Sequence, residues 1–235
     1  MTDDAPISLL EGMASTRAIR RFTSEPIPEA DLAQILWHGS RAPSGSNRQP
    51  FRFLVLRDGP TATEVKALLG RSFREMWAAK QEADGYAAGS GADDASPKAR
   101  MANTMQRFVD RFESTPVVVL ACIVRHRRPD PTEGASVYPA CQNLLLAARA
   151  LGYGGVMTTW HALAEEELRP VLGIPDEVGI SATLALGRPE GRHGPVRRRP
   201  LHELVYDDRW EGPAPWATDP AGTRFTQAGP PRPAP

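Results

Sequence analysis

Residues 41–58 read RAPSGSNRQPFRFLVLRD. The first ten are almost all turn formers, and they run directly into an apolar stretch, 52–57, that reads as a buried strand. Gly45 can take backbone angles that other residues avoid, and Ser44, Ser46 and Asn47 can bond to nearby backbone. Two readings are open for such a loop at the mouth of a core strand. One is a plain connection. The other is a surface that closely wraps a flat, polar ligand.

Strands and helices alternate on either side. Upstream, PEADLAQILWHGSRA (28–42) repeats Leu32, Ile35 and Leu36 at helical spacing, with acids near its start. Downstream, 61–80 is helical, with Val65, Leu68, Leu69, Phe73, Met76 and Trp77 on or near one face. Residues 81–100 are rich in Gly, Ala, Ser and Asp and read as a mobile insertion, and 101–114 is helical again. TPVVVLACIV (115–124) shows almost no alternation, as expected of a strand buried on both faces. VYPACQNLLLAARALG (137–152) is an apolar helix whose closing Gly152 suits a left-handed cap. A short strand at 154–159, a helix at 164–173 and a strand at 179–189 follow. From residue 211 the chain is Pro- and Gly-rich and aperiodic, a tail or an arm over a partner subunit.

The 28 basic and 28 acidic residues cancel, so no global field favours nucleic acid. No apolar run approaches the ~20 residues needed to cross a bilayer. Residues 1–10 lack the basic start and long apolar stretch of a signal peptide. Cys122 and Cys141 fall in apolar elements and suggest a reduced interior, so the expectation is a cytoplasmic protein.

Two basic clusters stand out. STRAIRRF (15–22) carries Arg17, Arg20 and Arg21. If a new helical turn begins there, Arg17 and Arg20 point the same way and make a phosphate site with free backbone N–H groups. VRRRP (196–200) carries Arg197, Arg198 and Arg199. In an extended segment Arg197 and Arg199 share a face. Taken alone, each cluster is more often a solvated surface run, but a chain with no net charge has no electrostatic reason to crowd six arginines into two tight groups. There is no GxxxxGK[ST] and no GxGxxG between a strand and a helix, so neither a P-loop nor a Rossmann site is supported. The five histidines show no metal-binding spacing, and only His161 merits a test.

The arginines at 17–21, APSGSNRQPF (42–51), QNLLLAARALG (142–152), GIPDE (173–177), LALGRP (184–189) and RRRPLHELV (197–205) occur in an order that resembles the FMN-dependent nitroreductase family across about 10–210. The resemblance implies an α+β sandwich, a central, mostly antiparallel sheet flanked by helices, built as an intertwined homodimer with FMN at the interface. It implies an FMN-binding domain over 1–210, with a variable lid segment at about 70–112 that sets the acceptor, and a tail or dimer arm over 211–235. Arg17, Ala18 and Arg20 would hold the flavin phosphate and ribitol. Pro43, Ser44, Gly45 and Asn47 would reach the isoalloxazine from the partner chain. Met157, Thr158 and Thr159 would offer backbone contacts near flavin N5, and Arg197 and Arg199 would close on the phosphate. Ala18 stands where a serine is common, and Thr159 where some relatives carry an acid. The implied activity is an oxidoreductase passing hydride from NAD(P)H through the flavin to a nitroaromatic, quinone or similar conjugated small molecule, with no catalytic side chain required. The alternatives are a dedicated reductase or dehalogenase of one metabolite, and a flavin-sequestering protein with little turnover.

Overall fold

The computed structural model describes residues 7–226, except 192 and 195. They fall into two compact units that divide between residues 191 and 192. In the first, chain order is α1 (Leu9–Ser15), α2 (Glu29–Gly39), β1 (Phe51–Leu56), α3 (Pro60–Ala83), α4 (Pro97–Asp110), β2 (Val117–Val124), α5 (Tyr138–Ala150), β3 (Gly154–Thr158), α6 (Glu165–Leu172) and β4 (Val178–Gly187). The four strands form one antiparallel sheet in the order β1-β2-β4-β3. The architecture is therefore α+β with helices on both faces of the sheet.

β2 is central, and its lack of alternation has a direct cause. Val117, Val119, Ala121 and Ile123 pack on one face with Ile35 of α2 and Cys141 and Leu144 of α5. Val118, Leu120 and Cys122 pack on the other with Phe73 of α3, Val109 of α4 and Leu168 of α6. Neither face meets water, so neither selects polar residues. Burial pushes the Cys122 thiol up to about 11 and the Cys141 thiol up to about 12, so both stay protonated and inert.

The β2–β4 register slips once. Ala121 faces Ala182 but Cys122 faces Ile180, leaving Ser181 as an extra residue. This bulge sends Ile180 to the α3/α4 face while Ala182, Leu184 and Leu186 line the α2/α5 face.

Residues 81–100 are more structured than an insertion of small residues suggests. α3 runs on to Ala83, a 3-10 turn covers 89–92, and Ser96 caps α4 by accepting from Ala99 N–H. Tyr86 packs edge-on against Trp77 with centroids 5.1 Å apart, and Lys98 Nζ donates to the Gly85 carbonyl at 2.6 Å.

Candidate active site

The site begins at the open edge of β3. Thr16 ends α1: its hydroxyl donates to the Gly12 carbonyl at 2.7 Å while its own backbone turns extended. The chain does not start a new helical turn at Arg17. It runs extended along β3, where Ala18 bridges Gly155 and Ile19 N–H donates to the Gly155 carbonyl at 2.9 Å. The physical reason is tertiary: an edge strand offers unpaired backbone groups, and the segment takes them. Gly154 permits the approach, and Gly155 permits the packing of β3 on β4 and α5. A Cβ on Gly154 would fall 2.7 Å from Ile19 Cγ1, and one on Gly155 would fall 2.5 Å from Leu186 Cδ2.

Beyond Gly155 the outer side of Met157 and Thr158 pairs with no strand among the described residues. Met157 is 41% exposed, and Ala18 and Thr159 are also exposed. Arg20 is half-buried. Burial, and then the charge of Arg17, hold its guanidinium below the usual arginine range, with Tyr86 opposing. It stays cationic at neutral pH, and among the described residues it forms no ion pair. Arg17, Ala18, Arg20, Met157, Thr158 and Thr159 therefore share one edge of the sheet.

Pro43, Ser44, Gly45 and Asn47 precede β1, at the opposite edge. Three inter-strand spacings separate the two edges, about 14 Å. The loop is held by its own bonds. Ser44 Oγ accepts from Gln49 N–H at 2.9 Å, Asn47 N–H donates to the Ser44 carbonyl at 2.9 Å, and Gly45 N–H donates to Ser136 Oγ at 3.2 Å. The left-handed angles expected of Gly45 fall on its neighbours instead: Ser46 (φ 53°), Asn47 (φ 51°) and Gln49 (φ 49°). Three non-glycine residues in this region within four positions cost roughly 1–2 kcal/mol each, and such strain concentrates at functional sites.

Arg197 and Arg199 belong to the second unit. Arg199 Nη1 meets Glu203 Oε2 at 2.9 Å. Arg198 lies beside Phe225, its N–H donating to the Arg224 carbonyl at 3.3 Å and its carbonyl accepting from Thr226 N–H at 2.9 Å.

A sequence model of the nitroreductase family matches residues 13–188. The chain belongs to that family. It is 31% identical over 194 residues to a Thermus thermophilus protein named NADH dehydrogenase, a match covering 80% of this chain and 90% of the relative. It is 25% identical to a Thermotoga neapolitana protein named iodotyrosine deiodinase, covering 85% and 97%. Among solved structures, a variant of the FMN and NADPH-dependent nitroreductase NfnB from Sphigopyxis sp. strain HMH superposes with a TM-score of 0.67 at 22% identity. That superposition covers 88% of this chain and all of the other.

The residues at the β3 edge fit the flavin that this nitroreductase-family fold implies. Open backbone groups at Met157 and Thr158, beside the small Ala18, suit the polar edge of a flat ring, and the Arg20 cation suits an anionic tail. His161 takes no part. It is buried, its Nε2–H donating to the Ile180 carbonyl at 3.0 Å and its Nδ1 accepting from Thr183 Oγ1 at 3.1 Å, and burial lowers its pKa. Of the aromatic and Met residues in the variable segment, Phe73, Trp77, Met105 and Phe112 are core, while Phe108, also buried, borders a cavity together with Phe22. Sequence reasoning missed Arg107 and Arg111, which line a basic cavity with Arg20. The one local signal was two arginines four apart on a helix.

Proposed function

We propose that this protein is an FMN-dependent oxidoreductase that takes hydride from NAD(P)H and passes it to a nitroaromatic, quinone or similar conjugated acceptor. Family membership supports the cofactor class. The observation that carries the reading is the open β3 edge beside Ala18 and Arg20, in a chain whose strained loop lies at the other edge of the sheet. When bound, the flavin supplies the redox chemistry at N5, accepting hydride and then donating it. The protein's own groups bind and orient. Arg17, Arg20 and the Ala18 N–H would hold the phosphate and ribitol, and the Met157–Thr159 backbone would meet the polar edge of the ring. By the family resemblance, Arg197 and Arg199 would also serve the phosphate.

Pro43, Ser44, Gly45 and Asn47 come from a second chain, because about 14 Å of sheet lies between them and the same chain's β3 edge. The working unit is therefore a homodimer of FMN-binding domains (1–210). Residues 211–235 act as an arm over the partner, of which 227–235 lie outside the described residues. Trp216, 64% exposed, is a group such an arm would bury, and Trp210, 80% exposed, lies just before it. Among the described residues no helix is long and apolar enough to cross a membrane. Two buried free thiols suit a reducing compartment, and we place the protein in the cytoplasm.

The test is direct. The purified protein should be yellow and should release FMN on heating, and NADH or NADPH should bleach the bound flavin in anaerobic stopped flow. Colour without bleaching by either nucleotide would leave a flavin-sequestering protein. A dedicated dehalogenase is the second reading, favoured by the deiodinase relative, and halide release from a halogenated phenol reports it.

A further inference from the structure

A cavity of about 410 Å³ lies between the N-terminal segment and the end of α4. Arg20 and Arg21 line it from one side, Arg107 and Arg111 from the other, and among the described residues Glu190 is the single acid on its wall. Among the described residues none of these four arginines forms an ion pair. Elsewhere in the same unit Arg57, Arg71, Arg74, Arg125, Arg169 and Arg188 each meet a carboxylate within 3.0 Å. Here four arginines and one acid line a single cavity.

Local structure explains part of this. Arg107 sits in the last turn of α4 and Arg111 caps it, where the helix dipole favours cations. The dipole does not account for Arg20 and Arg21, which arrive from 86 or more residues away and add like charge. The remaining walls narrow the ligand. Phe22 and Phe108 give aromatic surface, and Ser114 and Thr115 close the end. A cavity of this size suits one small aromatic molecule and is tight for a dinucleotide. Guanidinium forks match a carboxylate through paired hydrogen bonds.

We propose that this cavity is an acceptor subsite for an aromatic carboxylic acid, the carboxylate held by Arg107 and Arg111 and the ring lying against Phe22 and Phe108. This deepens the oxidoreductase reading and rests on it for the acceptor's fate, though not for binding itself. It names the acceptor class as anionic, where the fold alone leaves it open.

The test is calorimetric titration of the purified protein with benzoate and with benzamide, a neutral molecule of the same shape. The variants are Arg107→Gln and Arg111→Gln, both exposed, the first in the last turn of α4 and the second at its C-cap. Benzoate should bind at least about tenfold tighter than benzamide, and each variant should lose about tenfold or more for benzoate while benzamide changes little. With 4-nitrobenzoate and 4-nitrobenzamide as acceptors, the same variants should raise KM for the acid alone. Equal binding of benzoate and benzamide by wild type, or wild-type benzoate affinity in both variants, overturns the proposal. So do variants that purify without flavin, which would assign the cavity to the cofactor. A raised KM for NADPH but not NADH, with benzoate binding intact, would assign it to the donor's phosphate and equally overturn it. A wild-type protein without flavin sinks the oxidoreductase reading instead, and the titration still decides the anion site.

Discussion

The two edges of the sheet are built on opposite principles. At β3 the chain is relaxed: Gly154 lets an extended segment lie against the strand, and the outer backbone beyond it pairs with no strand among the described residues. At the mouth of β1 the chain is strained, with Ser46, Asn47 and Gln49 left-handed and pinned by Ser44 and Ser136. The first edge presents polar groups by leaving them unpaired. The second fixes a shape by spending stability on it. An edge that binds a group along its backbone needs close approach, while a loop proposed to meet a ring from another chain needs rigidity.

Substitutions sharpen this contrast. The largest effect is expected at the relaxed edge. Gly155→Val drives methyl groups into Leu186 and the Ala185 carbonyl, costing about 3 kcal/mol and lowering Tm by roughly 6–12 °C. A melt within a degree of wild type would show that β3 can shift away from its neighbours. Arg20→Ala should weaken FMN binding by tenfold to a hundredfold, from a lost charge-assisted bond of about 1.5–3 kcal/mol, with the melt of the flavin-free protein unchanged. Arg199→Ala should act in the same direction but less, since Glu203 already neutralises that guanidinium. Equilibrium dialysis of flavin against both variants checks the order.

At the strained edge the sign reverses. Ser46→Gly relieves a left-handed residue worth roughly 1–2 kcal/mol, partly offset by the unfolded-state entropy of glycine. A small rise in Tm is expected, together with weaker flavin binding as the loop loses its shape. A fall in Tm would mean that the Ser46 side chain stabilises the loop by more than its strain costs.

The smallest effect is a pH dependence. Burial holds the His161 pKa below its ordinary value of about 6.5. The unfolded chain then binds the proton more readily than the folded one. Stability from this group is complete above the unfolded value and is lost as pH falls through it toward the folded pKa. Urea unfolding between pH 7.5 and 5 should show this slope in wild type and a shallower one in His161→Gln. Parallel slopes would move its origin to another group.

Much of the fold was legible in local pattern. The unbroken apolar run of β2 reported burial on both faces, and Gly152 takes the left-handed angle (φ 80°) that its place after α5 suggested. What was hidden depends on distant neighbours. The segment at 17–21 offers the local signals of a turn, yet it is extended because the β3 edge, more than 130 residues on, supplies the hydrogen bonds. The loop at 43–50 was legible as special, but glycine only permits a left-handed angle, and the fold placed that angle on Ser46, Asn47 and Gln49. The Ser181 bulge leaves no trace in an apolar strand. Arg107 meets Arg20 only once α4 is packed, so the cavity could not be read from either segment alone.

The central claim is that one flavin cradle draws on opposite edges of two chains. Co-expression of an Arg17→Ala/Arg20→Ala chain with a chain whose residues 43–47 are replaced by glycine, each with its own affinity tag, tests it most directly. The hybrid dimer combines one doubly damaged cradle with one intact cradle. Each parent homodimer should be flavin-poor at limiting FMN, while the doubly purified hybrid should hold one FMN per two chains. A hybrid as flavin-poor as its parents, or a monomer that binds FMN tightly, would contradict it.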